Sequence, residues 1–104
     1  MSSRIVLVAA LYIHPGQEAE FEQFETAAAS IMKRYGGAIE RRIRCAPKHD
    51  AAPPYEVHIV SFPDDQSFEH YRADDDLAKL AGLRARAIRQ TIVWQGSDLP
   101  PFLK

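Results

Sequence analysis

The sequence predicts an α+β domain whose elements follow the order β-α-β-β-α-β. Segments with the apolar pattern of strands are twice interrupted by segments with helical spacing of apolar residues. Right-handed crossovers then place four antiparallel strands in one sheet with both helices on one face, which is the ferredoxin-like arrangement. A length of 104 residues fits a single domain that spans residues 1–104.

The first part of the chain predicts a buried strand followed by an amphipathic helix. Ile5 to Ile13 is almost wholly apolar, as expected of a central strand that is covered on both faces. After Pro15-Gly16, apolar residues recur at helical spacing from about Gln17 to Tyr35. Gly36-Gly37 then ends the helix, because glycine adopts the left-handed conformation of a helix terminus without steric strain.

The middle of the chain predicts two strands separated by a proline-rich loop. Ala38 to Cys45 is polar and indicates an edge strand, whose charges discourage aggregation. Residues 46–54 contain three prolines and no periodicity, so we expect a loop there. Tyr55 to Phe62 alternates between two faces as a strand does, and Pro63 to Asp65 supplies a turn and a helix N-cap.

The last part predicts a second helical region, a final strand and a tail. Helical spacing extends from Asp64 to about Gln90, with a restart at the acidic run Asp74 to Asp76. Thr91 to Gln95 indicates the final strand, which Gly96 ends. Residues 97–104 form a predicted C-terminal tail that cannot extend the sheet, since its two prolines lack N–H donors.

Composition argues against several classes of function. A net charge of −1, from 13 basic and 14 acidic residues, lacks the basic excess typical of nucleic-acid binding. The apolar run from Ile5 to Ile13 is too short to cross a membrane, which requires about 20 residues. The single cysteine, Cys45, cannot form an internal disulfide, so we expect a protein of the reducing cytoplasm.

The two-layer fold also predicts a homodimer. Helices on one face would leave the other face of the sheet in water, yet the first strand is apolar on both faces. A second copy that packs sheet to sheet is the simplest cover for that face.

Four segments of the chain resemble one known group of proteins. These segments are KRYGG at the end of the first helix, SFPDDQSFEHYRAD, LAGLRARAIRQT and the closing VWQG. They are similar to small stand-alone members of the dimeric α/β-barrel superfamily, closest to members of unknown function and related to antibiotic-biosynthesis-monooxygenase-like proteins. The resemblance implies that two ferredoxin-like domains form a dimeric α/β barrel. It leaves the activity open, since the superfamily includes cofactor-free quinone-forming monooxygenases, isomerases, haem-handling enzymes and members without known activity.

The candidate site consists of histidine, arginine and aromatic residues. The predicted catalytic residues are His58 and Arg42, because an imidazole moves protons near neutral pH and a guanidinium holds a carboxylate or enolate. The predicted substrate-binding residues are Tyr12, His14, Tyr71, Arg84 and Trp94. Tyr12 and His14 share one face of the first strand, and His58 lies on the neighbouring third strand. We therefore expect these side chains to converge on a small organic molecule, aromatic or enolisable, and Arg42 and Tyr71 also match residues of the resembled group.

Each candidate residue has a structural alternative. His58 and the aromatic residues can belong to the core or to the dimer interface, and Arg42 and Arg84 can pair with Glu56 or with Asp74 to Asp76. We expect no metal and no cofactor, because the sequence has no cysteine pair, His-Glu-x-x-His or glycine-rich phosphate loop. Two functions remain open. One is a small-molecule-binding protein with cofactor-independent monooxygenase- or isomerase-like activity, and the other is a non-catalytic homodimeric structural or interaction module.

Overall fold

The computed structural model describes residues 4–48 and 52–102. Residues 1–3 and 103–104 of the predicted domain, and residues 49–51 of the predicted loop, lie outside the described residues. The elements are β1 (Ile5–Ile13), α1 (Glu18–Lys33), β2 (Ala38–Arg44), β3 (Glu56–Phe62), α2 (Asp65–Arg72), α3 (Asp75–Ala78), α4 (Ala81–Ala87) and β4 (Ile88–Gly96).

The four strands form one sheet in the order β2-β3-β1-β4, and every neighbouring pair is antiparallel. This topology confirms the predicted α+β, ferredoxin-like class. Among the described residues, none of the helices combines the length and the apolar character needed to cross a membrane.

The predicted boundaries around α1 and α2 follow from glycine geometry and side-chain capping. Gly36 has a φ of +75°, and the N–H of Gly37 donates to the carbonyl of Met32 at 3.0 Å. A Cβ atom at Gly37 would overlap the ring of Phe62, so α1 approaches the sheet closely there. The side chain of Asp64 accepts a hydrogen bond from the N–H of Ser67 at 2.7 Å and caps α2.

The second helical region differs from its prediction in two respects. The predicted restart at Asp74 is present, since Asp74 accepts hydrogen bonds from the N–H groups of Asp76 and Leu77, but a further break between α3 and α4 divides the region into three short helices. The final strand begins at Ile88 and not at Thr91, since the extended backbone of Ile88 pairs with β1 immediately after α4. The predicted helical region, which extended to about Gln90, is therefore wrong from Ile88 onwards.

The two faces of the sheet have different surroundings. One face packs against the helices through two apolar clusters, which include Leu11 with Phe21 and Phe24, and Leu7 with Phe62. We call the opposite side the open face. By strand register it carries Val6, Val8, Ala10, Tyr12, Ile43, Val57, Ile59, Ile92 and Trp94. Trp94 is 56% exposed on this face, so a large aromatic surface lies in water in the single chain.

Candidate functional site

A cavity of about 370 Å³ lies between the helix-facing side of the sheet and the helices. This volume falls within the range of small-molecule sites. Most of its lining is apolar, and five residues bring titratable groups to it: Glu25, His58, Tyr71, Arg72 and Arg84. The cavity therefore has the composition of a ligand site, with an apolar body and a few polar groups.

His58 is held in one orientation by Glu56, two residues earlier on β3. Both side chains are buried, and Nε2 of His58 lies 2.6 Å from Oε1 of Glu56. Glu56 also accepts hydrogen bonds from Arg42 at 2.8 and 3.0 Å and from Arg44 at 2.7 and 3.0 Å. An ionised carboxylate can only accept hydrogen bonds. Nε2 of His58 therefore carries a hydrogen and donates it to Glu56. The lone pair of the neutral ring is then at Nδ1.

The charge of Glu56 is fixed by these contacts. Burial opposes its ionisation, but hydrogen bonds from Arg42, His58 and Arg44 outweigh burial and lower the pKa of Glu56 to about 2. Glu56 is thus ionised throughout the physiological range and acts as the anchor of the imidazole.

Glu25 on α1 faces the other nitrogen of His58. Its Oε1 lies 3.7 Å from Nδ1, and the side chain is only 15% exposed. Burial, together with the nearby charge of Glu56, raises the pKa of Glu25 to about 7, although Arg84 and Arg42 partly oppose this rise. Sequence reasoning missed this residue. The sequence does contain an indication that Glu25 is buried. It lies four residues after Phe21 and three before Ala28, on the apolar side of the helix.

Tyr71 and Arg84 add two further polar groups to the lining. Burial raises the pKa of Tyr71 to about 12, so its hydroxyl stays protonated and can donate a hydrogen bond. Arg84 is more exposed, and its guanidinium donates to Oγ1 of Thr91 at 3.0 Å. Among the described residues it forms no salt bridge, so its charge is available to a ligand.

The predicted convergence of Tyr12 and His14 with His58 is wrong. His58 lies opposite Ala9, so it shares the face of Ala9, while Tyr12 points to the open face three residues further along β1. His14 lies beyond the end of β1, and neither residue lines the cavity. The cause is strand register, which one sequence alone does not give.

Trp94 and Arg42 also lie outside the cavity. Trp94 pairs with Val8 on the open face. Arg42 lies opposite His58 on β2, and its guanidinium bridges Glu56 and Glu22. It therefore takes the structural alternative foreseen for it and acts on His58 only through Glu56. His58, Tyr71 and Arg84 line the cavity, and their roles stay predictions. The described residues contain no group of three or more side chains able to hold a metal ion.

Comparisons with known proteins connect this architecture to a fold. No protein-family model and no curated protein matches the sequence. A solved protein of unknown function from Rhodopseudomonas palustris superposes with a TM-score of 0.81 at 12% identity, covering 97% of this chain and 86% of that chain. SnoaB, a cofactor-independent oxygenase from Streptomyces nogalater, gives a TM-score of 0.71 at 16% identity, covering 99% and 100%. A Dabb family protein with a ferredoxin-like fold from Mesorhizobium loti gives 0.62 at 17% identity, covering 93% and 98%.

At these identities the likeness establishes the fold and nothing finer. The chain has the ferredoxin-like fold that was expected from its sequence motifs. It shares that fold with an oxygenase as well as with a protein of unknown function.

Proposed function

We propose that the protein binds a small, largely apolar organic molecule in the cavity and removes a proton from it. The observation that carries this proposal is the Glu25–His58 pair, which faces a largely apolar cavity. In this proposal His58 is the base, acting through Nδ1, and Glu25 shares the proton it removes. Ionised Glu56 keeps the imidazole in the required tautomer.

The electrostatics of the pair suit proton transfer near neutral pH. A general base works best when its pKa is close to the working pH, and the pKa of Glu25, raised to about 7, is close to that of an ordinary imidazole. Because the pKa of Glu56 is lowered to about 2, its carboxylate is a weak base that does not compete for the proton, and the proton is left to Nδ1 and Glu25.

Two further groups suit the negative charge that such a step creates. The hydroxyl of Tyr71 can donate to an enolate oxygen, and Arg84 can supply a positive charge. The proposed substrate class is therefore an enolisable molecule with an apolar, aromatic body and a C–H group that is conjugated with a carbonyl, directly or through an aromatic ring.

Cofactor-independent oxygenation is the reaction that we propose after deprotonation. The carbanion of a CH₂ group passes electrons to O₂, and a C–O bond forms. One oxygen atom becomes a new carbonyl, and the other leaves as water with the two hydrogens of the CH₂ group. The sum is CH₂ + O₂ → C=O + H₂O, so no external reductant is needed. The fold shared with SnoaB, an oxygenase described as cofactor-independent, supports this choice.

A cytoplasmic homodimer is the proposed state of the protein. Val8, Ile59 and Trp94 are adjacent on the open face by register, and a second copy packed on this face would remove the exposed indole from water. The single, unpaired cysteine supports the reducing compartment.

Oxygen consumption with dithranol tests the proposal. Dithranol is an enolisable aromatic ketone whose CH₂ group becomes a quinone carbonyl, and a chelator in the assay removes trace metals. The wild type is expected to accelerate oxygen uptake and quinone formation, and His58→Ala to lower kcat by about 100-fold or more. His14→Ala is the matched control and should leave the rate unchanged, since His14 lies outside the cavity.

Other outcomes separate the competing functions. Incorporation of solvent deuterium into dithranol without oxygen uptake would retain proton transfer and contradict oxygenation. Absence of both, with no retained molecule in native mass spectrometry and no dithranol binding, would instead favour the non-catalytic module.

A further inference from the structure

The C-terminal tail carries two large apolar side chains into water. Leu99 is 85% exposed and Phe102 is fully exposed, and Pro100 and Pro101 lie between them. Two consecutive prolines restrict the backbone to an extended conformation, so little entropy is lost when such a segment binds a surface. The start of the tail is already anchored, because Asp98 forms an ion pair with Arg4.

A second cavity, of about 260 Å³, lies at the opposite end of the sheet. We call it the tyrosine–proline slot. Its lining consists of Tyr12, Ile13, Cys45, Pro47, Pro53, Pro54, Tyr55 and Arg89. The register shift between Tyr12 and Ile13 leaves Arg89 out of the ladder, and its guanidinium lies 5.4 Å from the centre of the Tyr12 ring. Surfaces built from aromatic rings and prolines suit proline-rich segments, which present rigid apolar ridges.

The tail of the same chain leads away from this slot. Gly96, where β4 ends, lies opposite Val6, whereas Tyr12 is six residues further along β1, about 20 Å away. Since β4 runs from the Ile13 end of β1 towards the Ile5 end, the tail continues in the direction opposite to the slot. It would have to reverse completely to fill the slot of its own chain.

A second copy removes this geometric conflict. When two open faces pack about a two-fold axis perpendicular to the strands, the strands of the copies run in opposite directions. The end of β4 in one copy then lies over the Tyr12 end of the other. Tyr12 belongs both to the open face and to the slot, so the two surfaces are continuous.

We infer that the C-terminal tail of each chain docks in the tyrosine–proline slot of a second copy, with Leu99 and Phe102 as its apolar anchors. This inference rests on the homodimer of the proposed function and adds a specific contact to it. It assigns Tyr12, predicted from the sequence to bind substrate, to partner recognition.

Disulfide trapping tests the contact, because the only cysteine of the chain, Cys45, already lines the slot. The variant Cys45→Ser/Pro101→Cys is mixed with wild type and oxidised at micromolar concentration. Each variant chain then has one cysteine, in the tail, and each wild-type chain has one, in the slot. A covalent heterodimer whose disulfide joins position 101 to Cys45 is the expected product. The matched control, Cys45→Ser/Lys79→Cys, places an exposed cysteine directly after α3, outside the slot, and should not form it.

Light scattering of the same samples separates the inference from the homodimer itself. A dimer without the disulfide between position 101 and Cys45 would overturn the docking of the tail and leave the homodimer in place. A monomer at all concentrations would overturn both. As a second measurement, Phe102→Ser should raise the dissociation constant of the dimer about tenfold for each tail, about a hundredfold for the symmetric pair. An unchanged constant would contradict the anchor role of Phe102.

Discussion

Glu25→Gln is predicted to stabilise the protein at alkaline pH. In the folded chain, burial raises the pKa of Glu25 from the ordinary 4.5 to about 7. Each pKa unit corresponds to about 1.4 kcal/mol, so ionised Glu25 destabilises the folded state by about 3 kcal/mol well above pH 7. Glutamine has nearly the same shape without the charge, and it removes this penalty.

The sign of the pH dependence follows from the raised pKa. Above pH 7 both folded and unfolded chains carry the ionised group, and the full penalty applies. As the pH falls from 7 towards 4.5, folded Glu25 takes up a proton before the unfolded chain does, and the penalty disappears. The gain from Glu25→Gln should thus be about 3 kcal/mol near pH 8.5 and below about 1 kcal/mol near pH 5.

Urea unfolding followed by circular dichroism at these two pH values measures the gain. Glu22→Gln is the matched control, since Glu22 lies one turn earlier on α1 with a half-exposed side chain. It removes a carboxylate that is not buried, so it should not reproduce the gain of about 3 kcal/mol that Glu25→Gln gives at pH 8.5. Two results would refute the conclusion that Glu25 is buried with a raised pKa. One is a difference in the free energy of unfolding between Glu25→Gln and wild type that is equal at both pH values. The other is a variant less stable than wild type at pH 8.5.

Three further predictions concern the anchor of His58 and the local geometry of the fold. The lowered pKa of Glu56 stabilises the folded state fully above about pH 4.5 and progressively less towards pH 2, so Glu56→Gln should cost about 3 kcal/mol at pH 7 and lose its effect in acid. A flat pH dependence of that difference would contradict the ionised anchor. Gly37→Ala should destabilise by about 1–3 kcal/mol in thermal unfolding, because the added methyl overlaps the Phe62 ring; an unchanged melting temperature would show that α1 can move aside. Asp64→Ala should cost about 1 kcal/mol by loss of the α2 cap, while Asp64→Ser should restore most of it. Equal losses in both variants would exclude capping as the cause.

Local chemistry accounts for the part of the fold that the sequence predicts. The apolar run of β1, the Gly36-Gly37 terminus and the Asp64 cap each depend on interactions within a few residues, and the structure contains all three. The start of β4 was not predicted correctly, because Ile88 fits the apolar pattern of a helix as well as that of a strand. Only its pairing with Ile13 shows that it belongs to the strand.

The site depends on contacts between distant residues, and for this reason the sequence predicts it only in part. His58 lies in the cavity as expected, but its companions were misplaced, since β1 and β3 could pair in two registers that exchange the faces. Tyr12 was assigned to the substrate for this reason. Glu25 was passed over because the three acidic residues before it on α1, Glu18, Glu20 and Glu22, resemble an ordinary solvated helix start. Only the packing of α1 on β3 distinguishes Glu25 from them.

The energetics of Glu25 favour a catalytic over a purely structural interpretation of the cavity. A carboxyl group whose ionisation is penalised by about 3 kcal/mol weakens the fold at alkaline pH, and glutamine would keep its shape without that penalty. Glu56 shows that this chain can stabilise a buried carboxylate, with two arginines and a histidine as donors. Glu25 has no such partners among its described contacts and instead faces the free nitrogen of His58 and an apolar cavity. This arrangement supports the proposed exchange of a proton between His58 and Glu25, because groups that exchange protons near neutral pH need pKa values in that range.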